Sequence, residues 1–243
     1  MENTDKHEIT WILSSPDSFL TPYITDAIKL QGAGKAMSAE YYLTADADEI
    51  APRVVAIFYD CRDVAKLYNQ MQSVDRAIVI ADETTERYDN LDNATIVRPG
   101  WIIGTGMTGA PMRLLDAINR GAYFHTVQSE NTRQELIHAA DLAKAAVKLG
   151  TADNLQPEIH LHDDSIPTIK EIAEAFALRL KGKRIYTLKT SWARLLMSLL
   201  GTRQLLDMTT DNHECRPATS IDGVTPRNTL EYITTHQYGP EDI

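Results

Sequence analysis

Two cysteines in 243 residues, Cys61 and Cys215, are too few for a disulfide framework, and neither has a C-x-x-C partner. No run of roughly 18 apolar residues occurs, so no segment reads as a transmembrane helix. The longest apolar cluster, Trp192 to Leu200, is broken by Arg194 and Ser198 and reads as one helix face. Met1 to Glu8 is polar and lacks the apolar stretch of a signal peptide, so the expected compartment is the cytoplasm. There is no repeat, no low-complexity linker and no G-x-S-x-G nucleophile elbow. Positive charge is also scarce. With 24 Lys and Arg against 34 Asp and Glu, the net charge is -10 and the pI about 5.1. That surplus argues against nucleic acid as a partner, and against an anionic membrane surface, because both attract proteins through negatively charged phosphates.

What is present is ordinary globular usage, 43% apolar and 24% charged, enough for a sizeable core. The length fits one large domain, or a sheet domain with a smaller lobe. Ile9 to Leu13 is a short apolar run and reads as a buried strand. Thr21 is the expected cap of the next helix, with Pro22 in its first turn, Ile24, Ala27 and Ile28 on one stripe, and Gly32 as its stop. Lys35 to Leu43 is a weakly signalled second strand. Val54 to Tyr59, Ala77 to Ala81 and Ala94 to Val97 are further buried strands, with a helix marked by Val64, Leu67, Tyr68 and Met71 between the first two. Strands apolar throughout and separated by helices predict a parallel sheet covered on both faces. Helices are then expected from Pro111 to Arg120, from Asp141 to Gly150, and after the capping box Thr168-Ile-Lys-Glu171. The last of these carries Ile169, Ile172, Phe176 and Leu180 on one face. Trp192, Leu195, Leu196 and Leu199 form the next stripe, and Thr229 to Thr235 a short helix after Pro226. Residues 1–104 are the expected sheet domain. Residues 105–243 form mostly a packed C-terminal lobe, some segments of which return to the sheet.

Three segments carry a family resemblance. Ala94-Thr-Ile-Val-Arg-Pro-Gly-Trp-Ile-Ile-Gly104 is similar to the strand and loop that end the sheet of extended short-chain dehydrogenases/reductases, the NAD(P)-dependent nucleotide-sugar epimerases and dehydratases. Leu136-Ile-His-Ala-Ala-Asp141-Leu-Ala and Gly223-Val-Thr-Pro226-Arg-Asn-Thr-Leu230-Glu resemble two later segments of that family, in the family's order. The resemblance implies an α/β fold, here a shortened Rossmann-type parallel sheet with helices on both faces plus a small C-terminal α/β lobe.

The departures from the family bear on chemistry. Where the family has G-x-x-G-x-x-G, this chain has Ser15-Pro-Asp-Ser18-Phe-Leu-Thr21, so Ser15, Ser18 and Thr21 stand at the three glycine positions. Those glycines permit a tight turn and let the backbone approach the pyrophosphate. Asp17 adds a negative charge where the phosphates would sit. Hydroxyls of Ser15, Ser18 and Thr21 remain able to donate to phosphate in a reshaped loop. The family's catalytic tyrosine, followed by a lysine four residues on, has no counterpart at any of the ten tyrosines. Tyr88, in the right region, is followed at that spacing by Asp92, whose charge would raise a phenol pKa. The interval Asp82 to Asn93 is also too short for the family's catalytic loop and the helix that commonly makes half of its dimer.

On the substrate side the resemblance points to Pro99, Gly100, Trp101, Ile103 and Gly104 at the carboxyl end of a strand, together with Arg133 and His138. The family's diphosphate-binding arginine falls four residues before His138, at Gln134; Arg133 is one residue away, an offset that reverses the face of a strand. Asp141 reads as a helix cap. Three rival signals stand beside these. Gly104-Thr-Gly106-Met-Thr-Gly109 is a literal G-x-G-x-x-G, but Pro99-Gly100 interrupts its strand. Gly32-Ala-Gly34-Lys35 is like a fragment of a phosphate loop but follows a helix. His160-Leu-His162-Asp163-Asp164 has metal-ligand chemistry without a third ligand fixed by spacing, so no metal is expected.

Two functional expectations follow from the resemblance. One is a non-catalytic relative that binds a small metabolite, a nucleotide-sugar or an intact paralogue, with no tightly bound cofactor and no catalytic residue. The other is an active NAD(P)-dependent epimerase, dehydratase or reductase with a rearranged site, NAD or NADP being its cofactor. A purely structural interaction module is not separable from the first by sequence.

Overall fold

The computed structural model describes residues 9–71, 73–81, 91, 93–127, 130–154, 156–180, 183–205 and 215–235. Among them the elements run β1 (Ile9–Leu13), α1 (Leu20–Leu30), β2 (Lys35–Ser38), α2 (Ala39–Tyr42), β3 (Arg53–Phe58), α3 (Val64–Gln70), β4 (Arg76–Ile80), β5 (Ala94–Pro99) and β6 (Trp101–Ile103). They continue with α4 (Gly109–Asn119), β7 (Leu136–His138), α5 (Ala139–Thr151), β8 (Glu158–Leu161), α6 (Ile169–Arg179), α7 (Thr190–Leu199) and α8 (Thr229–Thr235). The chain divides into two compact units. Met1–Pro99, Ala139–Leu161 and Thr219–Thr225 form the first; Gly100–His138, His162–Ala218 and Pro226–Ile243 form the second.

The first unit is built on one sheet in the order β2-β1-β3-β4-β5-β8, with every pairing parallel. The fold is therefore α/β and Rossmann-like. Its inner strands are predominantly apolar because both faces are covered. Alternation along the strands sends Ile12, Val54, Ala56, Phe58, Ala77 and Val79 into one core, with Val64 and Leu67 of α3 and Tyr42 of α2 packed there. Trp11, Val55 and Ile57 are buried on the other side, where α5 lies over β3, β4 and β5 and packs along α1. α1 contributes Leu20, Ile24, Ala27 and Ile28, the expected stripe. Gly150 lets α5 come close: a Cβ there would meet Trp11 ring carbons at 2.5 and 2.6 Å. The glycine thus sits inside the helix as a packing residue and does not stop it.

Other element boundaries also shift. The second strand ends at Ser38, not Leu43, because the Ser38 hydroxyl accepts the Tyr41 N–H at 3.2 Å and caps α2. α1 begins at Leu20, so Thr21 is not its cap. α5 begins at Ala139, which places Asp141 in its first turn and not at its cap position. Gly32 and Gly34 turn α1 into β2, with a Gly34 Cβ position only 2.1 Å from the Ile9 carbonyl oxygen, so this glycine pair serves the turn. Tyr88 and the interval at 82–90 and 92 lie outside the described residues.

The second unit holds the two-stranded parallel sheet β6-β7 and the helices α4, α6, α7 and α8. α6 opens on the expected capping box at Thr168 and buries Ile169, Ile172 and Phe176 against α4 and α8. α7 departs from the pattern. Its buried residues are Ala193 and Met197, while Trp192, Leu195 and Leu199 are 60%, 51% and 75% exposed. The larger apolar stripe faces outward and the smaller one faces the core. Among the described residues no helix is long and apolar enough to cross a membrane.

Candidate functional site

In the main sheet the strand order reverses between β1 and β3, since β1 leads outward to β2 and β3 leads the other way to β4. Open α/β sheets bind ligands at such a switch point, beyond the carboxyl ends of the strands. Here the segments that leave those ends are Ser14 to Thr21 and Tyr59-Asp60.

Hydrogen bonds join the two segments. Ser14 Oγ donates to the Tyr59 carbonyl and accepts the Tyr59 N–H, both at 2.9 Å. Ser15 Oγ donates to the same carbonyl at 2.7 Å and approaches the Asp60 carbonyl at 3.3 Å. Ser18 Oγ donates to the Asp60 carboxylate and accepts the Leu20 N–H at 3.2 Å, which ties off an amide at the start of α1. Thr21 Oγ1 donates to the Ser15 carbonyl at 2.6 Å and lies 2.8 Å from the Tyr59 hydroxyl. Burial pushes the Tyr59 phenol up to about 12; the Thr21 hydrogen bond acts against this and the Asp60 charge adds to it. Asp60 has φ +47°, a left-handed conformation that aspartate tolerates better than most residues. Ser15, Ser18 and Thr21 are thus brought together, each bonded to protein. Asp17 is exposed beside them. The sequence reading missed Tyr59 and Asp60. Their available signal was position, because they directly follow an apolar strand whose carboxyl end had to lie at the same edge as that of β1.

The substrate-side residues fall into two groups. Pro99 closes β5 in the first unit, paired with Leu161 of β8. In the second unit, register pairs Trp101 with Leu136 and Ile103 with His138, which puts all four on one face of the small sheet. Gly100 lies against Glu135: its Cβ position is 2.5 Å from the Glu135 carbonyl, and Trp101 N donates to that carbonyl at 2.8 Å. Gly104 is buried after β6. His138 is buried, with its ring edge-on to Tyr232 at 4.3 Å. Arg133 turns elsewhere: it is exposed and donates to the Ile166 carbonyl at 2.8 Å. The G-x-G-x-x-G from Gly104 to Gly109 does join a strand to a helix, but among the described residues that strand pairs only with β7.

His160 and His162 do not converge. His160 faces Glu158 at 3.4 Å in the first unit. His162, in the second, has Nδ1 2.6 Å from the Asp163 carbonyl and Nε2 2.7 Å from the Arg216 carbonyl, so both ring nitrogens are engaged. The buried Asp163 carboxylate accepts the N–H groups of Ser165 and Thr229, at 2.8 and 2.6 Å, and fastens α8 in place. Among the described residues no group of three or more His, Cys, Asp or Glu is set to hold a metal, and neither Cys61 nor Cys215 is in a disulfide.

No protein-family model and no curated protein matches the chain. Solved structures do. A nucleoside-diphosphate-sugar epimerase from Pseudomonas aeruginosa is 14% identical with a TM-score of 0.54, over 83% of this chain and 87% of that one. A human epimerase family protein solved with NADPH is 14% identical with a TM-score of 0.54, over 96% and 95%. The UDP-N-acetylglucosamine 4-epimerase of Bacillus cereus is 11% identical with a TM-score of 0.50, over 83% and 99%. At these identities the likeness is one of fold, and the fold is the Rossmann-like one of such epimerases.

Proposed function

We propose that this chain is a non-catalytic relative of the NAD(P)-dependent nucleotide-sugar epimerases and dehydratases, one that binds a metabolite or a protein partner without turning a substrate over. The observation that carries this reading is the commitment of the three hydroxyls at the glycine positions. Ser15, Ser18 and Thr21 donate to Tyr59, Asp60 and the loop's own backbone. A dinucleotide pyrophosphate needs free donors at a helix N-terminus and close backbone approach. This loop offers side chains where the approach would be made. It also places the Asp60 carboxylate beside Ser18, where it would repel a phosphate. The residues present do not fit NAD or NADP, although a structural neighbour was solved with NADPH. Nor does the phenol in the site suit acid–base work. Tyr59 is held at about 12, and the position four residues on is Asp63 in place of a lysine.

The test is a thermal melt with millimolar NAD, NADP and their reduced forms against buffer. A ligand at a hundred times its Kd adds about 2.7 kcal/mol. Each kcal/mol is worth roughly 2 to 4 °C in a chain of this size. The expected result is no reproducible shift. A rise above about 5 °C, or roughly 1 to 3 kcal/mol, would overturn the reading and promote a working enzyme with a rearranged site.

A further inference from the structure

Charge is not spread evenly along this chain. Between Ala175 and Leu206 lie seven of its 24 lysines and arginines and none of its 34 acids. Of these, Lys183, Arg184, Lys189, Arg194 and Arg203 are exposed and take part in no ion pair among the described residues. The same stretch holds six of the ten large apolar side chains exposed among the described residues, so positive charge without an ion pair among them and uncovered apolar surface coincide. At its centre is α7. Trp192, Leu195 and Leu199, spaced i, i+3 and i+7, share one narrow stripe on the side opposite the buried Ala193 and Met197. Leu200 extends that surface beyond the helix end and is 45% exposed. These side chains form an exposed apolar stripe along one face of the helix.

We infer that α7 and its basic flanks form a docking face for an anionic lipid surface. A tryptophan and leucine stripe flanked by lysine and arginine is the pattern by which a helix lies in the headgroup region of a membrane. The exposed apolar side chains enter among the headgroups while the basic flanks meet lipid phosphates. A second copy of this chain is a poorer occupant, because face-to-face pairing would bring two acid-free basic stretches together. The overall charge of -10 does not prevent docking. Acids elsewhere on the molecule are screened beyond about 8 Å at physiological ionic strength, so the local charge decides. The docking is peripheral and involves no membrane span.

Co-sedimentation of the full chain with vesicles tests this. One set of vesicles is phosphatidylcholine alone; the other is an equal mixture with phosphatidylglycerol. The protein is expected to pellet with the mixed vesicles, to stay in solution with the neutral ones, and to be released by high salt. A double variant, Leu195→Glu with Leu199→Glu, and a triple variant, Lys183→Glu with Arg184→Glu and Lys189→Glu, should each lose at least about tenfold in binding. All five side chains are already exposed, and an unchanged melting temperature checks the fold of each variant. Absence of pelleting with anionic vesicles at low salt overturns the proposal. So does equal pelleting with neutral vesicles, or full binding by the leucine double variant. Sedimentation velocity without lipid adds one further outcome: a dimer abolished by Leu195→Glu would assign the face to a second copy and overturn the lipid assignment.

Discussion

His125 makes the stability of this protein sensitive to acid. It is buried in the second unit, and its backbone is pinned by Tyr186 at 3.0 Å and Leu188 at 2.8 Å. The ring stands edge-on to Tyr123 with centroids 5.4 Å apart, and neither ring nitrogen has a hydrogen-bond partner among the described residues. Burial is the main force lowering its pKa from 6.5 to about 4; the Lys170 charge adds to that, and Glu130 opposes it. Above pH 6.5 the ring is neutral in both folded and unfolded chains, and its contribution is fully present. As pH falls from 6.5 to about 4, only the unfolded chain takes up the proton, so stability is lost. Below about 4 both states are protonated and the loss stops growing. At 1.36 kcal/mol per pH unit, the gap between 6.5 and about 4 is worth about 3 kcal/mol. In a chain of this length that is roughly 6 to 12 °C in melting temperature. Carboxylates titrate over the same range, so the measurement is a difference. Urea unfolding of the wild type and of His125→Phe is followed from pH 7.5 to pH 4, the phenylalanine keeping an aromatic edge against Tyr123 without a titrating group. The wild type should lose about 3 kcal/mol more than the variant across that window. Parallel stability curves for the two proteins would refute the assignment.

Two further substitutions probe the packing of each unit. Gly150→Ala should destabilise the first unit by about 1 to 3 kcal/mol, because the added methyl meets the Trp11 ring at 2.5 Å and either the ring or α5 must move; a neutral result in urea unfolding would show that the contact relaxes freely. Asp163→Ala should cost about 3 kcal/mol by leaving the buried Thr229 N–H without its acceptor and freeing the Ser165 turn; a loss below about 1 kcal/mol would mean that α8 is held by its apolar contacts alone.

The main sheet was legible in the sequence because its signals are local. Buried parallel strands carry near-continuous apolar runs, and Ile9–Leu13 and the inner strands β3 and β4 are predominantly apolar stretches of that kind. The stripe on α1 and the capping box at Thr168 are also written within one or two helical turns. Periodicity on α7 was equally plain, yet it could not say which stripe faces the core. Ala193 and Met197 fill the narrow space available, and the bulkier Trp192, Leu195 and Leu199 are left outside. The second strand was read too long because one hydroxyl, on Ser38, outweighs the weak strand signal of the residues after it. The candidate site was half legible. The sequence placed Ser15, Ser18 and Thr21 where the glycines would be, but not the use to which their hydroxyls are put. Their partners Tyr59 and Asp60 lie about forty residues away in the chain. They meet only because β1 and β3 are hydrogen-bonded neighbours with aligned carboxyl ends. Gly150 is a similar case: its place near a helix end suggests a stop, and only the approach of Trp11 from a strand far away in sequence gives it a packing role. Local composition fixes which residues are apolar, helical or capped. Which donor meets which acceptor, and which face of a helix is covered, depends on contacts between distant segments that exist only once the sheet has formed.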